Sequence, residues 1–423
     1  LAIVVGVARV VIGLVRGGAI VYLLSEPMLA GFTRGAALLI LASQVPAVLG
    51  VNVESTGTLA DGWSALSEPS AWVGGAALTA VCCAAIVVGC RYLHPLVPGI
   101  LIAAIASVVA VSLGATAGPV VGAIPSGLPG IALPDGGYGS LLLPGLVIAL
   151  IGFSESAAIA RTYAVLDRTP WNPNRDFIGQ GLGNVVSGLV GGMPVGGSFT
   201  RSALNRMAGA KSAMSGAVAA LAVIAFLPFS GLLSDLPRAA LGAFVMLAAA
   251  TLIRPREIAQ LWRLSRVQFA VAVATFALTI GLAPHIERAV VLGVVLTIVV
   301  HLWRETVTST KLTLADGGGV LDVRPSGVLW FANAHAAADA VARTVSSHQD
   351  VRRVRLRLDG LGRVDLTAAL SITRLVEDLA ASGVAVEIVD LPPIARPVLE
   401  RVLAEGAVSE TTVSESLAAR GAP

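Results

Sequence analysis

The sequence predicts an α-helical polytopic membrane protein that ends in a small α/β domain. Hydrophobic residues fill 55% of the 423 positions and charged residues only 13%, against about 25% charged residues in ordinary soluble proteins. The charges are also unevenly spread: residues 1–310 carry 17 Lys and Arg with 12 Asp and Glu, whereas residues 311–423 carry 12 and 14. We therefore divide the chain into a transmembrane part, 1–305, and a polar part, 311–423.

The transmembrane part consists of long apolar runs. A spanning helix needs about 20 mostly apolar residues, and about ten runs approach that length. They are 1–24, 27–50, 72–90, 96–117, 139–163, 177–193, 212–233, 236–253, 265–284 and 286–304. Because the first run begins at Leu1, without a charged leader, we expect the natural N-terminus to lie upstream.

Basic residues orient these runs. Arginines follow the third, fifth and eighth runs, whereas the connections 51–71 and 118–138 carry only acids such as Glu54 and Asp135. Cytoplasmic loops are enriched in Arg and Lys. The arginine-rich loops and the polar C-terminal part are therefore predicted on the cytoplasmic side of the cell's inner (plasma) membrane.

Several functional classes find no support in the sequence. The net charge is +3, but no basic stripe with interleaved aromatics indicates nucleic-acid binding. The three cysteines, Cys82, Cys83 and Cys90, lie in one apolar run without metal-ligand spacing and are predicted to be small core residues. No nucleotide, metal or nucleophile motif stands out, so neither an enzyme nor a cofactor is predicted.

The most informative segment is the Gly-rich break between the runs that end at 193 and begin at 212. Ser198 or Thr200 is a good N-cap for the short helical segment 198–208, which cannot span alone. A helix that begins in mid-membrane directs its free N–H groups and positive dipole end into the bundle. With the guanidinium of Arg201 nearby, such an end can hold an anion.

An alternative remains open for this segment. It can instead be a Gly-rich connecting loop whose Arg201 faces the cytoplasm, because Arg206 and Lys211 follow closely and resemble ordinary loop charges.

Glu155 is the second candidate, since it is the one acid in the run 139–163. A charge at that depth costs about 2.5–3.5 kcal/mol or more, and such residues usually face a cavity. Its carboxylate could couple transport to protons or serve as counter-ion for Arg201, or it could simply reach the cytoplasmic face. Arg9, Arg16 and Arg34 also lie in apolar runs, where we interpret them as interfacial anchors.

Strands alternate with helices after Lys311, which predicts a compact α/β domain. The predicted strands are 328–331, 351–358 and 384–389, and the predicted helices are 334–346, 366–381 and 397–404. In the second strand Val354, Leu356 and Leu358 alternate with arginines, which indicates one buried face.

Four blocks resemble the SulP family of anion transporters, the sulfate-permease group. They are Glu26–Gly35, Pro95–Leu101, Gly122–Pro129 and Gly197–Asn205, with 236–243 in support. The resemblance implies fourteen segments in two inverted seven-segment repeats, followed by a cytoplasmic STAS domain. The runs here would be the fourth to fourteenth segments, with the first three absent.

The resemblance also implies site residues and partners. Ser198, Phe199, Thr200 and Arg201 would form the substrate pocket, and Glu155 would be the coupling acid. In sodium-coupled members that acid is Asp with Thr one turn later; Ile159 stands here, which favours protons over sodium. The implied partners are a small anion, protons, the lipid bilayer and a second copy in a homodimer.

The C-terminal part resembles STAS domains in its segments 331–333, 357–360 and 364–368. Bacterial relatives often carry a phosphorylatable residue directly after the Asp that corresponds to Asp365. Leu366 stands here, with Thr367 next, so a structural or dimer-supporting role is the interpretation.

The leading hypothesis is secondary active, proton-coupled transport of sulfate, bicarbonate or a small dicarboxylate. A nucleobase–cation symporter of the same fold, a membrane-anchored STAS regulator without transport, and an inactive fragment are the alternatives.

Overall fold

The computed structural model describes residues 1–53, 57–94, 96–115, 118–124, 127–131, 137–306 and 310–405. The loop acids Glu54 and Asp135 lie outside these ranges. The chain forms two compact units, Leu1–Thr297 and Ile298–Pro423. The predicted domain limits at 305 and 311 stay a prediction.

Among the described residues of the first unit, the regular secondary structure is helical, apart from one isolated bridge between Val120 and Pro237. Its helices are α1 (Ala2–Leu14), α2 (Glu26–Leu49), α3 (Thr58–Ser67), α4 (Gly74–Leu93), α5 (Gly99–Ser112), α6 (Tyr138–Asp167), α7 (Pro173–Leu189), α8 (Phe199–Met207), α9 (Met214–Phe226), α10 (Arg238–Ala250), α11 (Pro255–Leu264), α12 (Arg266–Gly281) and α13 (Ile286–Thr306). The last of these, α13, ends within the second unit's residue range.

Within the described ranges, six helical stretches are long and apolar enough to cross a membrane, and α1, α5 and α12 are shorter apolar helices. The six are Glu26–Leu49, Gly74–Leu93, Tyr138–Asp167, Met214–Leu233, Arg238–Leu264 and Ile286–Thr306. The predicted run 1–24 is interrupted because Arg16 adopts a left-handed φ of 58°. A 3-10 helix over Gly17–Leu23 then replaces the α-helix.

Glycine-mediated contacts pack two pairs of helices in the first unit, α1 with α7 and α2 with α12. At Gly6 of α1, a β-carbon would lie 2.6 Å from the Val185 nitrogen of α7, and at Gly181 it would lie 2.8 Å from the Gly6 oxygen. At Gly31 of α2 it would lie 2.1 Å from the Ala272 oxygen of α12. Small residues of this kind let membrane helices approach closely.

The cysteine prediction holds in part. Cys83 of α4 is buried, with 2% of its surface exposed, and its thiol contacts the Ala103 carbonyl of α5 at 3.8 Å. Cys82 is exposed, because neighbouring residues on a helix face different sides.

The second unit is an α/β domain. Its strands are β1 (Thr310–Ala315), β2 (Val320–Pro325), β3 (Gly327–Leu329), β4 (Arg353–Arg357), β5 (Leu361–Val364) and β6 (Ala385–Val389), and its further helices are α14 (Ala334–Ser347), α15 (Leu366–Ala381) and α16 (Arg396–Glu405). One sheet has the order β1-β2-β4-β6, with β1 antiparallel to β2 and the other pairs parallel. Strands β3 and β5 pair separately in parallel.

The predicted alternation in β4 is confirmed. Val354 and Leu356 are buried in the domain core, whereas Arg355 lies on the outer face between Asp322 of β2 and Glu387 of β6, at 3.4 and 3.2 Å. The prediction of helix 366–381 is confirmed at both ends. Sequence reasoning missed β1, β2 and β5.

The start of α15 has a structural role. Asp365 accepts hydrogen bonds from the Ala368 N–H at 2.8 Å and from the Phe331 N–H at 3.0 Å. The two carboxylate oxygens therefore join the N-terminus of α15 to the turn between β3 and α14. Leu366 and Thr367 are exposed.

Candidate functional site

The Gly-rich break is real: α7 ends at Leu189 and α8 begins at Phe199. The connecting residues contain no regular secondary structure. Gly191 begins the connection with a left-handed φ of 73°, which a glycine adopts without strain. The helical path is therefore interrupted where the sequence predicts.

Asn184 of α7 holds the connecting segment. Its side chain donates to the Val195 carbonyl at 2.9 Å and accepts from the Val195 N–H at 2.9 Å. Asn184 is fully buried. Its amide satisfies the N–H and the carbonyl of Val195, which among the described residues have no partner in a helix or a sheet.

Ser156 of α6 holds the same segment two residues further on. Its hydroxyl accepts a hydrogen bond from the Gly197 N–H at 2.8 Å. A β-carbon at Gly197 would lie 2.8 Å from that hydroxyl oxygen, so the close approach requires glycine.

Arg9 of α1 completes this set of contacts and is not an interfacial anchor. Only 1% of its surface is exposed, and its guanidinium donates to the Val195 carbonyl at 3.0 Å. The anchor interpretation of Arg34 is also wrong, since that side chain is buried and paired with Glu257 of α11. Arg16 is exposed.

The N-terminus of α8 agrees with the predicted cap. Ser198 is the N-cap residue, and its hydroxyl accepts from the Arg201 N–H at 3.5 Å. The Arg201 side chain is exposed, and neither an ion pair nor a side-chain hydrogen bond occupies its guanidinium among the described residues. The side chains of Phe199 and Thr200 lie outside the described part of the structure.

The other end of α8 is tied to α6. Arg206 forms two hydrogen bonds with the carboxylate of Asp167, at 2.8 and 2.5 Å, and its guanidinium lies 4.9 Å from the centre of the Tyr163 ring. Arg206 is therefore not a free loop charge. It fixes the C-terminal end of the short helix to the end of a long one.

Glu155 lies on α6, one residue before Ser156. Its side chain is exposed, and within the described ranges it forms no ion pair with Arg201. The counter-ion role therefore has no support in the geometry. Ile159, one turn later, is buried.

Sequence reasoning missed Arg9, Asn184 and Ser156 as parts of this site. Each is a polar side chain inside an apolar run, and that signal could have marked all three. The described residues contain no cluster of His, Cys, Asp or Glu suited to a metal ion.

The fold is that of a helical membrane transporter with a C-terminal STAS domain. The sulfate permease family profile matches residues 1–275, and the STAS domain profile matches residues 312–417. The chain belongs to the sulfate permease family.

Known proteins agree with this assignment. A Mycobacterium tuberculosis protein named "Probable sulfate transporter Rv1739c" is 32% identical over 289 residues, which cover 67% of this chain and 52% of that protein. The chain spans about half the length of such relatives, at 52% to 54%. These relatives are named as transporters and not as enzymes.

Two solved structures share the fold. The murine solute carrier 26 family member A9 anion transporter, in its inward-facing state, matches with a TM-score of 0.85 at 21% identity, over 97% of this chain and 72% of that one. The transmembrane domain of the cyanobacterial bicarbonate transporter BicA matches with a TM-score of 0.56 at 21% identity, over 71% and 74%.

Proposed function

We propose that the protein carries a small anion across a membrane by secondary active transport, with the anion held at the N-terminus of α8. The break between α7 and α8 carries this proposal. A short helix that begins there presents backbone donors and the positive end of its dipole, and Arg201 adds a full positive charge. The same arrangement serves anionic groups in other broken-helix transporters.

The candidate cargoes are sulfate, bicarbonate and a small dicarboxylate. Relatives of this chain are named as sulfate transporters, and a protein of the same fold is named as a bicarbonate transporter. All three cargoes carry oxyanion groups, which guanidinium and backbone N–H donors bind in the same way. Ser198, Phe199, Thr200 and Arg201 are the proposed contact residues.

Proton coupling through Glu155 is the second half of the proposal. A carboxylate on a long apolar helix can change its charge within the transport cycle, and the buried Ile159 side chain has no oxygen to offer a sodium ion. The proposed setting is the inner membrane, with the STAS domain in the cytoplasm and two copies in a homodimer.

The test is uptake of labelled sulfate, bicarbonate or fumarate into proteoliposomes across a pH gradient. Arg201→Ala is expected to abolish uptake, since it removes the cation at the helix end. Lys211→Ala is the matched control, because it removes another exposed cation ten residues away and should leave uptake unchanged. Glu155→Gln should retain anion exchange and lose the stimulation by the pH gradient.

Two results would contradict the proposal. If Arg201→Ala takes up the anion as fast as the unsubstituted protein, the anion does not bind at the N-terminus of α8. Absence of flux of all three anions through the unsubstituted protein would contradict transport and leave the two alternatives that do not transport, the STAS regulator and the inactive fragment.

A further inference from the structure

We propose that Arg9 is a positioning residue of the anion site: it fixes the segment 193–197 that leads into α8, and its buried charge favours an anion there. This inference deepens the proposed function and rests on it.

Arg9 joins three parts of the chain at one buried point. From α1, its Nε donates to the Ala149 carbonyl of α6 at 3.2 Å, and its Nη1 donates to the Gln180 side chain of α7 at 3.2 Å. The same Nη1 donates to the Val195 carbonyl at 3.0 Å. Val195 precedes the N-cap Ser198 by only three residues, so the guanidinium sets where the short helix begins.

Among the residues that the structure describes, no acid forms an ion pair with Arg9. Its three hydrogen-bond acceptors are two backbone carbonyls and one amide. The acid in this network is Asp176, which accepts from Gln180 at 3.1 Å and from the Trp171 indole at 3.1 Å. Asp176 is therefore linked to Arg9 by hydrogen bonds through the Gln180 amide, and its negative charge acts on the guanidinium only through space, without direct contact.

A buried cation that pairs with neutral oxygens carries a large desolvation cost. A nearby negative charge lowers that cost, and charges interact more strongly in a poorly solvated interior than in water. An anion bound at the N-terminus of α8 would supply such a charge. We infer that Arg9 contributes to anion affinity without touching the anion.

Gly152 of α6 makes room for this arrangement. A β-carbon at Gly152 would lie 2.6 Å from Nη2 of Arg9, closer than real β-carbons approach. Ser156, one turn later on the same helix face, holds Gly197. One face of α6 thus receives both the guanidinium and the segment that it positions, and an alanine at 152 would push the guanidinium away.

The experiment measures KM and kcat for anion uptake by the full chain in proteoliposomes, with whichever of sulfate, bicarbonate and fumarate the parent takes up. The variants are Arg9→Met, Arg9→Lys and Gly152→Ala, and thermal stability is recorded for each. Gly139→Ala is the control, because Gly139 lies on the same helix with nothing within 4 Å of the added carbon.

We expect Arg9→Met to raise KM by about tenfold or more, since a misplacement of about 1 Å caused by a distant substitution can cost about a hundredfold. Arg9→Lys should recover most of the affinity because it keeps the charge and one donor. Gly152→Ala should raise KM while the charge remains, and Gly139→Ala should match the parent. If Arg9→Met fails to fold, the other two variants still test the inference: Arg9→Lys should keep most of the affinity, whereas Gly152→Ala should raise KM.

A KM within about twofold of the parent in Arg9→Met would overturn the inference, as would an Arg9→Lys variant no better than Arg9→Met. Lower thermal stability with unchanged KM would assign Arg9 a purely structural role and overturn it too. These outcomes leave the proposed function intact if Arg201→Ala still abolishes uptake. Absence of anion uptake by the parent would instead remove the proposed function.

Discussion

Arg34 of α2 anchors α11, a short helix in a segment that the sequence predicts as a loop. The guanidinium is buried and pairs with Glu257 of α11, and it also donates to the Arg254 carbonyl at 3.5 Å. Arg254 contacts the same carboxylate at 3.0 Å from the exposed side. The Glu257 carboxylate therefore pairs with one buried arginine and one exposed arginine.

We expect Arg34→Met to lower the free energy of unfolding by about 1–2 kcal/mol. This value lies between those of buried and surface ion pairs, because the Glu257 side chain is 47% exposed. Arg254→Met is the control and should cost under about 1 kcal/mol, since Arg254 is 67% exposed. Denaturation in detergent measures both, and equal losses would contradict the prediction.

Single residues show what a sequence can and cannot predict. The N-cap role of Ser198 follows from local chemistry and is confirmed. Arg9 and Arg34 were predicted as anchors, and that prediction failed because position along an apolar run does not reveal which helix face meets a neighbour. Their burial depends on α6, α7 and α11, which come together only in the folded chain.

Asn184 joins α7 to the segment before α8, because its side chain forms two hydrogen bonds with Val195. We expect Asn184→Leu to cost about 1–3 kcal/mol, because it removes both partly buried hydrogen bonds of the fully buried Asn184 side chain to Val195 and leaves the Val195 N–H without its acceptor. Ser187→Ala is the matched control: Ser187 is more exposed and makes a single hydrogen bond to the same segment, to the Met193 carbonyl at 2.7 Å. Thermal unfolding should rank Asn184→Leu well below Ser187→Ala; the reverse order would refute the assignment.

The pairing of α2 with α12 depends on the small residue at position 31. A β-carbon there would lie 2.1 Å from the Ala272 carbonyl oxygen, which is backbone and cannot rotate away. We therefore expect Gly31→Ala to separate the two helices and to lower stability by about 1–3 kcal/mol, as overpacking of a core does. Gly281→Ala on α12 has nothing within 4 Å and should be neutral in the same melting experiment.

Element types were easier to predict than element limits. The break before α8 and the helix 366–381 were predicted from glycines, caps and periodicity, which are local signals. The strands β1 and β2 were not predicted, because β1 has no buried residue along its length and forms only by pairing with β2. The ends of α1 were not predicted either. The helices α3 and α11 lie in segments that the sequence predicts as loops, because each has only ten residues and is too short to cross a membrane.

At the scale of the whole molecule, composition alone separates the two parts. Hydropathy averages over long stretches, so the fold class survives errors in any one helix, and the family profiles match the same two parts. The inverted repeat implied by the resemblance stays a prediction. Average hydropathy could not predict the site, because its supporting contacts come from α1, α6 and α7, which are far apart in the sequence.

The C-terminal domain is predicted to fold independently of the transmembrane part. Its apolar core draws on residues from Leu321 to Val402, so a fragment of residues 311–423 should fold without the helices before it. Two sets of contacts lie outside that fragment. Thr310, the first residue of β1, pairs with Pro325 of β2. The Glu305 carbonyl at the end of α13 accepts from the buried Asn333 side chain at 2.9 Å and from the Trp330 indole at 3.4 Å.

We therefore expect a fragment of residues 304–423 to be more stable than 311–423 by about 0.5–1.5 kcal/mol, the usual net value of such a hydrogen bond. Urea denaturation followed by circular dichroism measures the difference, and Asn333→Ala in both fragments should remove most of it. Equal stability of the two unsubstituted fragments would show that the end of α13 contributes nothing to the domain. An unfolded 311–423 fragment would instead place the working boundary inside α13, upstream of the predicted limit.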